Sequence, residues 1–449
     1  MLTPGEQPAA FETLRIKDGF LRWNSVELRV SYDLSISETG EIEIRFDGLH
    51  RSRCDKPIHE VIHRLYRGEN RLVPDFHLSG KSESDIQIRT ECARLTHISE
   101  KFTPYEAHVL GTAAELTLDD DTSSRGAPQP ADTVVYLSRA QRGFSVVAAE
   151  SAIGRVSAGG PHANANYEER FGLVRIERQA TQVDGDWVEA CDGLAEWTLQ
   201  LLSLGQGRWL DWTVRAIYAS NLRLSRTIRP QSVNRMALAA LFHHLNLAPV
   251  LKWIAETYET ASSKAQGVRV ALSWMLAPAA SVENGYLNFL IALEHLLWVF
   301  DSNKHGVMDR SKFKSAVRTP LLRVLGEISQ GVELPAEASA IFRKRISELN
   351  APTFYEKLLQ MVDHYSVPIA DIGDELRFAL VQCRNDVVHR GVFHRIGDDP
   401  EAIYRASHIA EEFLKRVIMA MLGYKGQYIS SLYNLESYVF GEGEVRSLK

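Results

Sequence analysis

The sequence predicts an α+β multidomain protein, with a β-rich N-terminal domain over residues 1–225 and an all-helical bundle over residues 230–449. In the first half, short runs alternate polar and apolar residues with a period of two, which is typical of strands in an antiparallel sandwich or barrel. From about Ser232 the apolar residues recur with helical spacing. A chain of 449 residues is also longer than one hydrophobic core usually supports.

The clearest strand pattern of the first half is a hairpin. Ser31–Ser37 and Glu41–Asp47 both alternate, and the turn between them contains Gly40. Polar loops rich in Gly and Pro separate the later runs. Further strands are predicted at Ser84–Arg89, Ala107–Gly111, Thr133–Leu137, Leu173–Glu177 and Trp209–Tyr218.

The second half is predicted to be a series of helices packed as a bundle. The segment from Glu283 to Phe300 is almost continuously apolar, as expected for a buried helix. The helices are predicted over Met236–Tyr258, Glu283–Phe300, Arg310–Ile328, Pro335–Leu349, Phe354–Tyr365, Asp371–His389 and Pro400–Leu422.

Composition narrows the classes of function. The formal net charge is −6, so any contact with nucleic acid is expected at a local basic patch. The N-terminus lacks the pattern of a signal peptide. The longest apolar run, Tyr286–Phe300, is interrupted by Asn288, Glu294 and His295, so we predict a cytoplasmic protein that makes no membrane contact. The four cysteines are widely spaced and are predicted to be reduced, and neither a metal nor a cofactor is expected.

One predicted helix, Asp371–His389, carries the residues of most chemical interest. Asp371 or Asp374 is positioned to cap its start, and Gly391 is positioned to end it. An apolar stripe at helical spacing is predicted to face the core, formed by Leu376, Leu380, Cys383 and Val387.

Three polar residues at the end of this helix form the candidate catalytic site. Asn385 and His389 are four residues apart and share a face, and Arg384 flanks them. A histidine can move protons near neutral pH, an arginine can hold two phosphate oxygens, and an asparagine can orient either group. This set suits cleavage of an RNA backbone without metal. The alternative is a polar helix end, where basic residues are favoured by the helix dipole.

The spacing of Arg384 and His389 is weak evidence by itself. Similar spacings occur at Arg45/His50, Arg53/His59, Arg71/His77 and Arg155/His162. Only Arg384/His389 lies at the end of a clear amphipathic helix with an asparagine directly after the arginine.

The segment Arg384–His389 resembles the signature of HEPN domains. The helix Glu283–Trp298, with Glu294 among apolar residues, resembles the first core helix of the Apea-like branch of that family. The resemblance covers about residues 280–425. It implies a dimer of helical bundles that cuts RNA, plausibly tRNA, without metal and leaves a 2′,3′-cyclic phosphate.

The resemblance also implies roles for the individual residues. His389 would be the general acid and base, Arg384 would bind phosphate, and Asn385 would position His389 or the RNA. The family is associated with abortive defence against phage, so the N-terminal domain would hold the nuclease in check or sense a phage-derived trigger.

Several residues are candidates for supporting roles. The carboxylate of Glu294 needs a basic partner, either Arg384, a residue of a second copy, or a structural base elsewhere. Arg390 follows His389 and is a candidate for contact with phosphate. A basic stretch is interpreted either as an RNA track or as a solvated helix face, and its candidate RNA-binding residues are Lys312, Lys314 and Arg318. The pairs His243/His244 and His59/His63 lack further metal ligands at suitable spacing and are interpreted as structural.

A second function remains open at this point. The helical domain would then be a catalytically silent module for dimerisation or nucleotide binding in a regulatory protein. Motifs of other enzyme classes, including the phosphate-binding P-loop, are absent from the sequence.

Overall fold

A computed structural model of the chain divides it into two compact units. The first comprises residues 1–237 and 242–260, and the second comprises residues 238–241 and 261–449. The structure describes residues 13–23, 26–36, 40–50, 75–98, 106–113, 115–121, 132–138, 146–160, 172–178, 185–207, 209–218, 223–229, 241–242, 247–260, 262–300, 308–332, 334–397, 399–430, 432, 437–440 and 445–447.

Most described strands belong to the first unit. They are β1 (Thr13–Trp23), β2 (Val26–Ile36), β3 (Ile42–His50), β4 (Asp75–Ser82), β5 (Gln87–Ile98), β6 (Glu106–Ala113), β7 (Leu116–Asp121), β8 (Thr133–Ser138), β9 (Val147–Glu150), β10 (Arg155–Gly159), β11 (Gly172–Glu177), β12 (Trp212–Tyr218) and β13 (Arg223–Ile228). A small second sheet near the C-terminus contains β14 (Gly426–Ile429), β15 (Ser437–Phe440) and β16 (Val445–Ser447).

Strands β1 to β13 pair in one antiparallel sheet that partly closes on itself. Its order is β4-β1-β2-β3-β6-β5-β7-β13-β12-β8-β11-β10-β9, and β4 also pairs with β5. Six strands therefore form a closed ring, and the remaining strands extend from it through β7. Closure removes the unpaired edges that an open sheet presents to solvent.

The alternation read from the sequence fixes which side chains fill this ring. In β2 the residues Val30, Tyr32, Leu34 and Ile36 are buried, as are Ile42, Ile44 and Phe46 in β3. Gly40, at φ 73°, makes the turn between the two strands, as the hairpin pattern predicts. Gly19 and Gly80 leave the space in which the ring of Tyr32 packs.

The described helices are α1 (Gly185–Gln206), α2 (Leu247–Thr260), α3 (Ser262–Met275), α4 (Val282–Phe300), α5 (Arg310–Phe313), α6 (Thr319–Gly331), α7 (Ala336–Glu348), α8 (Phe354–Tyr365), α9 (Gly373–Arg377), α10 (Arg384–Arg390) and α11 (Pro400–Met421). Two π-helical segments continue neighbouring helices without a break: π1 (Lys314–Arg318) joins α5 to α6, and π2 (Phe378–Cys383) joins α9 to α10.

Helix α1 is the main departure from the predicted strands of residues 1–225. Its buried residues include Trp187, Cys191, Leu194 and Trp197, which recur at helical spacing. The carboxylate of Asp192 accepts hydrogen bonds from Tyr136 of β8 (2.6 Å) and Arg215 of β12 (2.5 Å). The helix therefore attaches to the sheet of its own unit, and the helical period in its sequence was available to predict it.

Most predicted helices of the second unit are confirmed. Helix α3 was not predicted, and the sheet of β14–β16 corrects the prediction that residues 230–449 are all-helical. Helices α4, α7, α8 and α11 begin and end within one residue of the predicted bounds. Helix α4 is central, because it packs against α3, α10 and α11. The fold class is therefore confirmed as an antiparallel β-rich region followed by a helical region.

Candidate functional site

The candidate site lies on the continuous helix formed by α9, π2 and α10. Its predicted core stripe is confirmed, because Leu376, Leu380, Cys383 and Val387 are all buried. Gly391, at φ 75°, ends the helix in the left-handed conformation, as predicted. The predicted N-cap is wrong, because Ile372 occupies the cap position and no side chain caps the helix start.

A π-helical segment, π2, lies directly before Arg384, and the sequence did not predict it. In a π-helix the normal i to i+4 hydrogen-bond pattern is interrupted, which frees backbone groups for other partners. The hydroxyl of Tyr286, buried in α4, donates a hydrogen bond to the carbonyl oxygen of Ala379 in this segment. The same ring makes an edge contact with Phe393 beyond the helix end, at a centroid distance of 5.1 Å. Helix α4 thus contacts both the site helix and the loop that follows it.

Arg384 is turned toward α4 and α8. Its Nη2 atom donates to Oε1 of Glu294 at 2.5 Å, and its Cζ atom lies 4.8 Å from the ring centroid of Phe354. Its Nε atom is buried and has no hydrogen-bond partner among the described residues. One quarter of the Arg384 side chain remains exposed, against about half of Glu294. Of the partners that the sequence left open for Glu294, the structure therefore shows Arg384.

Asn385 and His389 are exposed together on the last turns of α10. The four-residue spacing places them on one face of the helix. Arg384 and His389 are five residues apart, which separates them by about 140° around an ideal helix axis. The structure therefore brings Asn385 and His389 together, and it pairs Arg384 with Glu294 on another side of the helix.

Asp386, within the same segment, is a structural residue that sequence reasoning missed. It is only 4% exposed, and its Oδ2 atom accepts the backbone N–H of Arg395 at 2.8 Å. The guanidinium of Arg395 lies 3.5 Å from the other carboxylate oxygen. The carboxylate therefore ties the loop after Gly391 back to the site helix. The sequence signal was an acidic residue in register with the buried stripe.

A second network holds the start of the site helix. Arg416 of α11 is fully buried, and it donates to both carboxylate oxygens of Asp371 at 2.7 and 2.9 Å. It also donates to Glu412 at 3.0 Å and to the carbonyl oxygen of Pro368 at 2.9 Å. Tyr428 completes the network by donating to Glu412 at 3.0 Å. Asp371 therefore anchors the segment before the helix instead of capping it.

The basic residues proposed for RNA contact are solvated. Lys312, Lys314 and Arg318 are exposed on α5 and π1, and Arg390 is exposed at the end of α10. No ion pair to any of the four is found within the described part of the chain. They are free to meet an anion, and they equally fit the alternative of a solvated helix face.

The cysteine of the site helix is unsuited to act as a nucleophile. Burial, together with the nearby carboxylate of Asp386, raises the pKa of the Cys383 thiol to about 11. The histidine pairs His243/His244 and His59/His63 lie outside the described residues. Among the helices that the structure describes, none combines the length and the apolar character needed to span a bilayer.

The two supporting networks and the helix end all lie within one segment that matches a family model. Residues 262–443 match the model of a family described as the YopA C-terminal domain. This range begins with α3 and lies wholly within the second compact unit. No curated protein and no solved structure matches the chain.

This match corrects the resemblance read from the sequence. The HEPN assignment is wrong, because the segment that suggested it, residues 280–425, falls within the match to the YopA C-terminal domain. An arginine and a histidine near a helix end are common, and an apolar helix with one glutamate is equally unspecific. The tRNA target, the phage-derived trigger, the dimer of catalytic helices and the defence role were implied by that resemblance, and they lose its support.

Proposed function

We propose that the helical unit binds RNA at the exposed end of α10 and cleaves its backbone without a metal ion. The observation that carries this proposal is the shared exposure of Asn385 and His389 on one helix face. Beside them, Arg390 is exposed and unpaired among the described residues, so the end of the helix offers positive charge to a phosphate.

The chemistry follows from the residue types. His389 would take the proton of a ribose 2′-hydroxyl as its oxygen bonds to phosphorus. The bond to the 5′-oxygen then breaks, and the same proton returns to that leaving oxygen. The products are a 2′,3′-cyclic phosphate and a 5′-hydroxyl end. Asn385, one turn before His389, would hold a phosphate oxygen or orient the imidazole.

Arg384 would act on phosphate only after partial release from Glu294. Glu294 offsets much of the positive charge of the guanidinium, and the Phe354 ring holds its plane. Substituting Glu294→Gln would remove that competition, so RNA binding is expected to become tighter. Arg384→Gln is expected to weaken binding, because the bidentate group is lost.

A second function is favoured by a different observation. Val388 and Val392, on either side of His389, are about half exposed. Exposed apolar residues that are bordered by polar ones are typical of protein interaction sites. In this alternative, α10 is a catalytically silent docking surface of a regulatory protein.

One experiment separates the two functions. Purified protein is incubated with total RNA in EDTA, beside His389→Ala and a matched control, His394→Ala, which removes another exposed histidine five residues later. The proposal expects cleavage by the parent and by the control, and a loss of about 100-fold or more in His389→Ala. Equal cleavage by all three, or by none, would reject the proposed role of His389, and the second outcome favours the docking function.

A further inference from the structure

The segment 309–349 forms a helical arm that is closed at its base. The backbone N–H of Met308 donates to Oδ1 of Asn350 at 2.8 Å, and Nδ2 of Asn350 donates to the Met308 carbonyl oxygen at 2.9 Å. Asp309 caps the first helix by accepting from the backbone N–H groups of Ser311 and Lys312. The arm therefore starts and ends at one fixed point, and its two long helices, α6 and α7, pack against each other.

This arm buries almost nothing of its own. Leu325 is the one buried residue in the described parts of α6 and α7. Seven large apolar side chains on or next to these helices are between 38% and 62% exposed. They are Leu321, Val324, Ile328, Val332, Ile341, Phe342 and Leu349.

The exposed apolar area is large enough for a specific interface. If a fully exposed apolar side chain contributes roughly 150 Å², the seven together leave on the order of 500 Å² in water. The largest apolar patch on a typical monomer is about 300–600 Å², and such patches often mark interaction sites. A stable dimer buries about 800 Å² per copy, including a polar rim.

The net charge of the hairpin favours a second copy as the partner. The hairpin of residues 319–349 contains four basic and four acidic residues, so it is electrically neutral. Several of these charges pair within the helices, as Arg323 does with Glu327 and Arg345 does with Glu348. The unpaired basic residues Lys312, Lys314 and Arg318 precede the hairpin, on α5 and π1. A neutral hairpin meets an identical hairpin without net repulsion, whereas an anionic partner would find no excess positive charge within residues 319–349.

We propose that α6 and α7 form a self-association surface, on which the hairpin of a second copy packs as in a four-helix arrangement. Two hairpins with half-exposed apolar faces would bury these faces in each other. The two hydrogen bonds between Met308 and Asn350 fix the base of each hairpin before the copies associate, which lowers the entropy lost on association. This proposal does not depend on the proposed RNA cleavage.

The test is the molar mass of the full chain in solution, measured by light scattering over a range of concentrations. The parent is expected to have the mass of two copies. Ile328→Asp and Ile341→Asp each place a carboxylate on the apolar face and are expected to weaken association on the order of 100-fold. Gln330→Asp is the matched control, because this exposed residue of α6 accepts the same charge outside the apolar set, and it is expected to remain a dimer.

A second measurement guards against variants that fail for another reason. Amide hydrogen exchange in residues 319–349 of the parent is expected to slow as protein concentration rises. A parent that stays a single copy at high concentration, with exchange independent of concentration, overturns the proposal. So does a single-copy parent that binds anionic lipid vesicles or RNA through this hairpin, with binding lost in Ile328→Asp. A dimer that survives both aspartate variants overturns it as well.

Discussion

Replacing Arg416 with methionine is expected to destabilise the helical unit strongly. Arg416 is fully buried, and so is its partner Glu412, while Asp371 is about one-third exposed. The substitution keeps most of the side-chain volume and removes the charge, so a buried carboxylate loses its counter-ion. Removing one partner of a buried ion pair costs about 3–5 kcal/mol.

The same helix provides a matched control. Arg405 of α11 also binds a carboxylate with two hydrogen bonds, to Glu375 at 2.7 and 2.8 Å. The side chains of Arg405 and Glu375 are both more than 40% exposed, so water already solvates the two charges. Exposed pairs contribute about 0–1 kcal/mol, and Arg405→Met is expected to cost no more than that.

The assay is amide hydrogen exchange of α11 in the full-length protein, which reports the free energy of opening of this element. A double variant, Glu412→Gln with Arg416→Met, removes the stranded charge and should recover part of the loss. A cost below 1 kcal/mol for Arg416→Met, or a cost equal to that of Arg405→Met, would refute the reasoning. Strict additivity in the double variant would also refute it.

Three further predictions concern the site helix and its neighbour. Gly391→Ala should lower the free energy of unfolding by about 1–2 kcal/mol, because a side chain is strained at its φ of 75°. Gly373→Ala is the control and should be neutral or stabilising, because Gly373 lies in the first turn of α9 with open space around it. Thermal unfolding that reverses this order would contradict the argument. Asp386→Asn should speed amide exchange at residue 395 and cost about 1–3 kcal/mol, because a buried charged acceptor is weakened; unchanged exchange would show that the loop is held by other contacts. Burial alone would raise the pKa of Glu411, but the buried ammonium of Lys415 and the imidazole of His408 together outweigh burial and lower that pKa below its usual value. The ionised Glu411 therefore stabilises the fold near neutral pH, and this stabilisation is lost as pH falls through the lowered pKa. The difference in unfolding free energy between the parent and Glu411→Gln should shrink on acidification. A difference that stays constant in denaturant unfolding would disprove this.

Periodicity alone predicted seven strands of the first half and most helices of the second half. It left β1, β4, β7, β9, β10, β13, α1, α3 and the sheet of β14–β16 unpredicted. Alternation in β2 and β3, with Gly40 between them, depends only on neighbouring residues and was read correctly. The bounds of α8 and the core stripe of the site helix were also readable, because a helix repeats its contacts within a few residues. Helix α1 was not predicted, although its buried tryptophans and leucines recur at helical spacing.

Only the tertiary structure decided what each polar residue of the site does. Arg384 reaches Glu294, which is 90 positions earlier in the chain, and no local rule could choose that partner over His389. The position of Asp371 predicted a helix cap, but its carboxylate instead accepts hydrogen bonds from Arg416, which is 45 positions later in the chain. Local pattern gives the backbone state and the buried face, whereas the partners of charged side chains depend on which distant elements the packed core brings together. The closed ring of strands depends on distant contacts in the same way. Strand β4 pairs with its neighbour β5 as a local hairpin, but the ring closes only because β1 pairs with β4 and β3 pairs with β6 across longer stretches of the chain.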